Sequence, residues 1–157
     1  MQTLNVGAGR TDEEYRTSEE QRRADLLADS QTDANYFFWA AGLAALGTGL
    51  LPIKLNLVVS IGTVDLLVLY GRTLGTLYPI VVVGTAVLWV LVMVGLGFAG
   101  RAGYRWAFVM GIAIYAADMA ALIVTFSLWA FGLHAFFVFK WFQGQKALKD
   151  LPDRKLV

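Results

Sequence analysis

The chain has 157 residues, of which 57% are apolar and only 16% carry a charge. Soluble globular domains carry charge on about 25% of their residues, so this composition argues against an ordinary soluble domain. The net charge of +1 offers no basic face that could neutralise many phosphates, which argues against nucleic acid as a partner. The absence of cysteine excludes disulfide bonds, thiolate metal sites and cysteine nucleophiles.

The charged residues are concentrated near the N-terminus. Twelve of them lie in residues 1–33, whereas residues 34–139 contain only six, which are Lys54, Asp65, Arg72, Arg101, Arg105 and Asp118. A charged tail followed by a long apolar body is typical of an integral membrane protein. The sequence therefore predicts the lipid bilayer as the main surroundings of the chain.

The tail, residues 1–33, carries helix signals. Thr11 and Glu14 have the spacing of a capping box, and Asp12 precedes Arg16 by four residues, as in a helix-stabilising ion pair. We expect a partly helical cytoplasmic tail. A solvated tail and a docking helix for a cytoplasmic partner are both compatible with its thin apolar face.

The body, residues 34–146, contains four apolar stretches of membrane-crossing length. They are residues 35–53, 77–100, 104–121 and 128–146. The last two belong to one apolar run that is nearly twice a bilayer thickness at about 1.5 Å per residue, so the chain must turn back near residues 122–127. Residues 55–71 form a fifth, shorter and more polar stretch.

The basic residues indicate the topology. If residues 55–71 are re-entrant or interfacial, both termini lie on one side together with nearly all arginines and lysines, including the basic tail 147–157. The positive-inside rule places that side in the cytoplasm. We therefore predict an all-α polytopic membrane protein with four transmembrane helices, one re-entrant or interfacial segment and both termini cytoplasmic.

Polar residues inside the apolar body are the candidates for a functional site. Asp65, Asp118 and His134, the only histidine, are expected at similar depth in the outer half of the protein, with Tyr115 one helical turn from Asp118. The cluster could be a packing bond between two helices, a proton or ion site, or, as the weakest alternative, a metal site formed by Asp65, Asp118 and His134.

Small residues indicate close helix contacts. The pairs with small-xxx-small spacing in the first span, together with glycines of the 77–100 stretch, are candidates for helix packing: Ala40, Ala41, Ala44, Ala45, Gly84 and Gly95. The same faces could serve packing within the chain, or contact with a second copy or a membrane-protein partner.

The runs "RWAFVMGIAIYAADMAALIV" and "LHAFFVFKWFQGQKAL" resemble small bacterial inner-membrane proteins that have a G-x-x-x-Y-A-x-D helix followed by a helix with His-Ala-Phe and a glycine. The matching residues are Gly111, Tyr115, Asp118, His134 and Gly144, and the earlier "VVSIGTVDLL" also fits with Gly62 and Asp65. The resemblance covers about residues 35–148. It implies a bacterial inner membrane and a four-helix body, and it implies no activity.

No nucleotide-binding, zinc-protease or serine-hydrolase motif is present, and we expect no cofactor. The sequence therefore predicts a non-catalytic accessory or assembly subunit of a membrane complex. The alternative is a small transporter or a proton or ion pathway that uses Asp65, Asp118 and His134, and an intramembrane enzyme is the third possibility.

Overall fold

The computed structural model describes residues 12–49, 63, 64, 67, 71–124 and 128–151. These residues form four α-helices and no strand, so the all-α prediction is confirmed for them. The helices are α1 (Asp12–Gly49), α2 (Tyr78–Arg101), α3 (Arg105–Val124) and α4 (Leu128–Lys149). A 3-10 segment (Gly71–Leu77), interrupted at Gly75 with φ of 58°, precedes α2. The predicted re-entrant segment, residues 55–71, lies mostly outside the described residues.

Helix α1 joins the charged tail to the first apolar stretch. It runs without a break through residues 33 and 34, where the sequence places the boundary between tail and bundle. Its buried residues recur every three or four positions, which is the period of one helix face. They are Ser30, Asp33, Ala34, Phe37, Ala40, Ala41 and Ala44. The face that packs into the bundle therefore begins within the predicted tail.

The turn between α2 and α3 is fixed by backbone hydrogen bonds. The amide of Tyr104 donates to the carbonyl of Ala99, and the amide of Gly103 donates to that of Gly100. This is the Schellman arrangement, which needs a left-handed residue after the helix. Gly103 supplies it with φ of 80°. The tight turn makes α2 and α3 antiparallel neighbours.

The four helices form a closed ring in which α1 packs against α2 and α4, and α3 packs against the same two helices. Neighbouring helices are antiparallel. One end of the bundle, which we call the charged end, contains the middle of α1 near Asp33, the turn between Arg101 and Arg105, and the C-terminus of α4. The opposite end contains Gly49, Tyr78, Val124 and Leu128.

Aromatic rings fill the centre of the bundle. The rings of Phe37 and Trp141 are stacked with centroids 4.1 Å apart, and Trp141 contacts Tyr115 edge-on at 4.7 Å. Gly111 of α3 lies beside this stack. A Cβ atom there would be 2.6 Å from Phe37 Cζ and 3.3 Å from Trp141 Cε3. Only glycine leaves room for the Phe37 ring at this position.

Two of the helices are long and apolar enough to cross a membrane, namely the stretch Gly75–Arg101 that includes α2, and Arg105–Ile123 of α3. In an apolar window of 18 residues within each stretch, only 28% and 33%, respectively, is buried inside the structure. Within the described residues α1 and α4 do not meet the same criterion. In α4 half of the apolar residues are aromatic, and Lys140 and Gln143 interrupt the apolar run. Four crossing helices therefore remain a prediction.

We expect Gly111→Ala to destabilise the bundle by about 1–3 kcal/mol, because the added methyl group overpacks the space occupied by Phe37. Gly95→Ala is the matched control, since no described atom beyond its chain neighbours and the adjacent backbone of its own helix lies within 4 Å of its Cβ position. There the change should be neutral or slightly stabilising, because alanine favours helix over glycine. Unfolding monitored by circular dichroism in detergent compares the two, and equal stability would contradict this packing.

Candidate functional site

The only histidine and a buried aspartate meet near the opposite end of the bundle. Asp118 is six residues before the end of α3, and His134 is six residues after the start of α4. Both belong to the buried faces of their helices, with 2% and 6% of the residue exposed. His134 Nε2 lies 2.9 Å from Asp118 Oδ2. Two of the predicted site residues are therefore in direct contact.

The second oxygen of the carboxylate is occupied by Thr63. The Thr63 amide donates to Asp118 Oδ1 at 2.8 Å, and the Thr63 hydroxyl donates to the same oxygen at 2.6 Å. The sequence singles out Asp65 in this segment and misses Thr63, two residues earlier. A hydroxyl and an amide from one residue stabilise a carboxylate without bringing in a second charge.

The second nitrogen of His134 is occupied by its own helix. Nδ1 lies 2.9 Å from the carbonyl oxygen of Ala130, four residues earlier. A carbonyl can only accept, so Nδ1 must carry a hydrogen and donate it. The contact between Nε2 and Oδ2 then holds one hydrogen, which is bonded either to the imidazole or to the carboxyl group.

Tyr115 contacts the pair through the face of its ring. The Tyr115 and His134 rings are stacked with centroids 4.4 Å apart and planes inclined by 28°. Trp89, Phe137 and Trp141 surround the Tyr115 ring edge-on. These three contacts fix the Tyr115 ring, and the stacked Tyr115 ring in turn restricts the orientation of the imidazole. It also connects the polar pair to the aromatic core around Phe37.

Asp65 lies outside the described residues, so the predicted convergence of two carboxylates and one imidazole stays a prediction. Among the residues that are described, no group of three or more His, Asp or Glu side chains could hold a metal ion. The metal alternative is therefore without structural support in this part of the chain. The described site is a chain of contacts from Thr63 to Asp118, His134 and Tyr115.

The predicted packing residues fall into two groups. Ala40, Ala41 and Ala44 are buried in the bundle, with at most 6% of each residue exposed. Ala45, Gly84 and Gly95 are exposed, and no described atom from another helix lies within 4 Å of a Cβ position at either glycine. Contact of these three positions with a partner stays a prediction.

A second tight glycine contact, at Gly144, involves residues from three helices at the charged end. A Cβ atom on Gly144 would be 2.6 Å from Phe108 Cε1 and 3.0 Å from Asp33 Cβ. Asp33 itself is 92% buried, and its Oδ1 lies 3.9 Å from Lys140 Nζ. Sequence reasoning assigned Asp33 to the solvated tail. Phe37 follows Asp33 by four residues and Ala40 follows Phe37 by three, and this helical spacing is the signal that would have placed Asp33 in the bundle.

Comparison with protein-family models, with curated proteins and with solved structures found no match to this chain. Function therefore has to be inferred from the geometry. The described polar pair is enclosed, and each of its oxygen and ring nitrogen atoms has a hydrogen-bonding partner. Chemically, this arrangement can hold three segments of the chain together and can retain one hydrogen between an acid and a base.

We expect Asp118→Leu to lower the free energy of unfolding by about 3–5 kcal/mol, because His134 is then left in the core without its partner. Adding His134→Phe should recover part of this loss, since an apolar pair leaves neither ring nitrogen unsatisfied. Reversible unfolding of both single variants and the double variant gives the coupling energy. Strictly additive effects would show that the two side chains do not support each other.

Proposed function

We propose that the protein is an integral membrane protein whose four helices all cross the bilayer, with the charged end in the cytoplasm of a bacterial cell. Large apolar side chains point outward from every helix, as shown by Trp39, Ile80, Met110 and Phe139. A soluble four-helix protein would bury such residues, and large apolar side chains exposed on all four helices favour contact with lipid or a partner. Basic residues of α2, α3 and α4 at the charged end agree with the positive-inside rule.

Within that membrane we infer a non-catalytic role as an accessory or assembly subunit. The observation that carries this proposal is the continuity of α1. Residues 14–29 extend the bundle helix by about 24 Å, and nearly all of their side chains are exposed. Because the same helix is anchored in the core through Phe37, the extension is held in a defined direction relative to the membrane.

The charge of the extension favours a protein partner over the membrane surface. It contains five acidic side chains and three arginines, so it is net acidic. The anionic cytoplasmic face of a membrane attracts basic segments and would repel this one. An exposed helix with both signs of charge can instead form a set of ion pairs with a complementary protein surface, which gives specificity more than affinity.

The enclosed polar pair also supports a non-catalytic role. A catalytic acid or base needs access to a substrate, whereas the Asp118 side chain is fully buried and that of His134 is 7% exposed. Both are occupied by bonds within the chain. The pair is best explained as a latch that fastens α3, α4 and the Thr63 segment.

A photo-crosslinking residue at position 16, on the exposed extension, should give one discrete adduct in intact membranes. The same residue at position 101 is the control, because Arg101 is also exposed at the charged end but does not belong to α1. Gel analysis and mass spectrometry identify the adduct. No adduct from position 16, or the same products from both positions, would contradict a docking role for the extension.

The second candidate is a small transporter or a proton or ion pathway. It is favoured by one observation, the 2.9 Å contact between Asp118 Oδ2 and His134 Nε2, across which an acid and a base can share one hydrogen. An acid and a base that share a hydrogen can pass it on if water reaches either group. Asp65, outside the described residues, is the third member of this predicted pathway.

Flux measurements separate the two candidates. If the pair conducts, Asp118→Asn and His134→Ala abolish proton or ion flux into liposomes, and the folded fraction in the same liposomes remains unchanged. Under our first proposal, wild-type liposomes show no flux above that of protein-free liposomes, and both variants only lower the melting temperature. If the wild type shows flux and both variants abolish it, the pair is a proton or ion pathway, and our first proposal is wrong.

A further inference from the structure

A polar groove lies between α1 and α4 at the charged end of the bundle. Its volume is about 490 Å³, which falls within the range of small-molecule sites. The groove is lined by side chains of both signs, among them Asp29, Asp33, Asp150, Lys140, Lys146 and Gln143. Leu26 and Asp29 also belong to the exposed extension of α1, whereas the other lining residues belong neither to that extension nor to the polar latch.

The charges inside the groove are incompletely matched. Lys140 Nζ donates to Gln143 Oε1 at 3.1 Å, whereas its distance to Asp33 Oδ1 is 3.9 Å, too long for a hydrogen bond. Burial raises the pKa of the Asp33 carboxyl, and Asp29 raises it further, against the lowering effect of Lys140. The ionised Asp33 would therefore gain from a second cation in the groove.

The position of the groove relates it to the lipid-facing surface. Lys140 lines the groove, and its Nζ lies 5.5 Å from the centre of the Tyr36 ring; Tyr36 in turn contacts Phe136 edge-on. Phe136 and Phe139 are exposed. We call the surface along which α1 and α4 meet the seam. Its side chains change from charged to aromatic over about one to two helical turns, which is the change found at the boundary between headgroups and hydrocarbon in a membrane.

We propose that this groove binds the headgroup of a zwitterionic phospholipid that carries a primary ammonium, with the phosphate on Lys140 and Lys146 and the ammonium on Asp29 and Asp33. Three carboxylates and two lysines make the groove net acidic, so a purely anionic headgroup is disfavoured. A quaternary ammonium cannot donate hydrogen bonds to the carboxylates, whereas a primary ammonium donates up to three. The acyl chains would follow Tyr36 and Phe136 along the seam.

This inference rests on the membrane placement proposed above, so that placement is tested first and separately. Extraction of membranes with alkaline carbonate should leave the full chain in the pellet. Release into the supernatant would overturn the placement itself. Retention in the pellet without lipid selectivity would overturn only the headgroup site.

Native mass spectrometry of the full chain in detergent measures the binding of dioctanoyl lipids. We expect the phosphoethanolamine lipid to bind about tenfold more tightly than its phosphocholine and phosphoglycerol counterparts, as one additional charge-assisted hydrogen bond would give. Tightest binding of the phosphoglycerol lipid, or equal binding of all three, overturns the proposal. Equally tight binding of glycerophosphoethanolamine, which has no acyl chains, would make the ligand a free metabolite and overturn the lipid assignment.

Matched variants localise the site. Lys146→Gln and Asp29→Asn change exposed lining residues and should each weaken binding of the phosphoethanolamine lipid about tenfold. Lys149→Gln and Asp25→Asn change exposed residues of the same helices that do not line the groove, and they should leave binding unchanged. All four variants should melt like the wild type. Equal effects of lining and control variants overturn the site.

Discussion

A carboxylate buried inside an apolar helix bundle needs hydrogen-bonding partners, and the residues around Asp118 supply them. Thr63 supplies two donors to one oxygen, and His134 faces the other. The remaining ring nitrogen of His134 donates to the carbonyl of Ala130. An unpaired charge at this position would lower the free energy of unfolding by several kcal/mol. Loss of any one of these partners would therefore leave a buried polar group without a hydrogen bond.

The Asp118–His134 pair is also connected to the aromatic packing in the centre of the bundle. The imidazole is stacked on Tyr115, Tyr115 contacts Trp141, and Trp141 is stacked on Phe37 of α1. One column of rings therefore runs from the polar pair near the opposite end toward the charged end of the bundle. Gly111 and Gly144 provide the space that this column and Phe108 occupy. Through Phe37 the column anchors the helix whose N-terminal half extends from the bundle.

The two ends of the bundle differ in the burial and the hydrogen bonding of their polar side chains. Near the opposite end the polar groups of Asp118 and His134 are enclosed and bonded within the chain. At the charged end Asp33 and Lys140 stand 3.9 Å apart beside an open groove, without a hydrogen bond between them. The first arrangement is suited to holding the bundle together, and the second to receiving a ligand.

Much of the architecture follows from local features of the sequence. The length of the apolar run after residue 104 requires a turn, and the turn makes contact between Asp118 and His134 geometrically plausible. Thr63 could not be identified in this way, because its bond to Asp118 spans 55 residues and depends on how a separate segment packs. The charge pattern of residues 1–33 suggested a separate tail, although the helical spacing of Asp33, Phe37 and Ala40 continues into the bundle. A high density of charged residues predicts that a segment as a whole is exposed to solvent. The spacing of its individual apolar residues predicts which face of the helix is buried.

The claim that Asp118 and His134 form an enclosed latch can be tested directly by nitrogen-detected NMR of the histidine-labelled protein in lipid bilayers. We predict that the hydrogen on His134 Nδ1, bonded to the Ala130 carbonyl, persists for minutes or longer after transfer to deuterated water. In Asp118→Asn, where the partner of Nε2 has lost its charge, the same hydrogen should exchange faster. Exchange of the wild-type signal within the dead time of the measurement would mean that water reaches the pair, and it would contradict the latch.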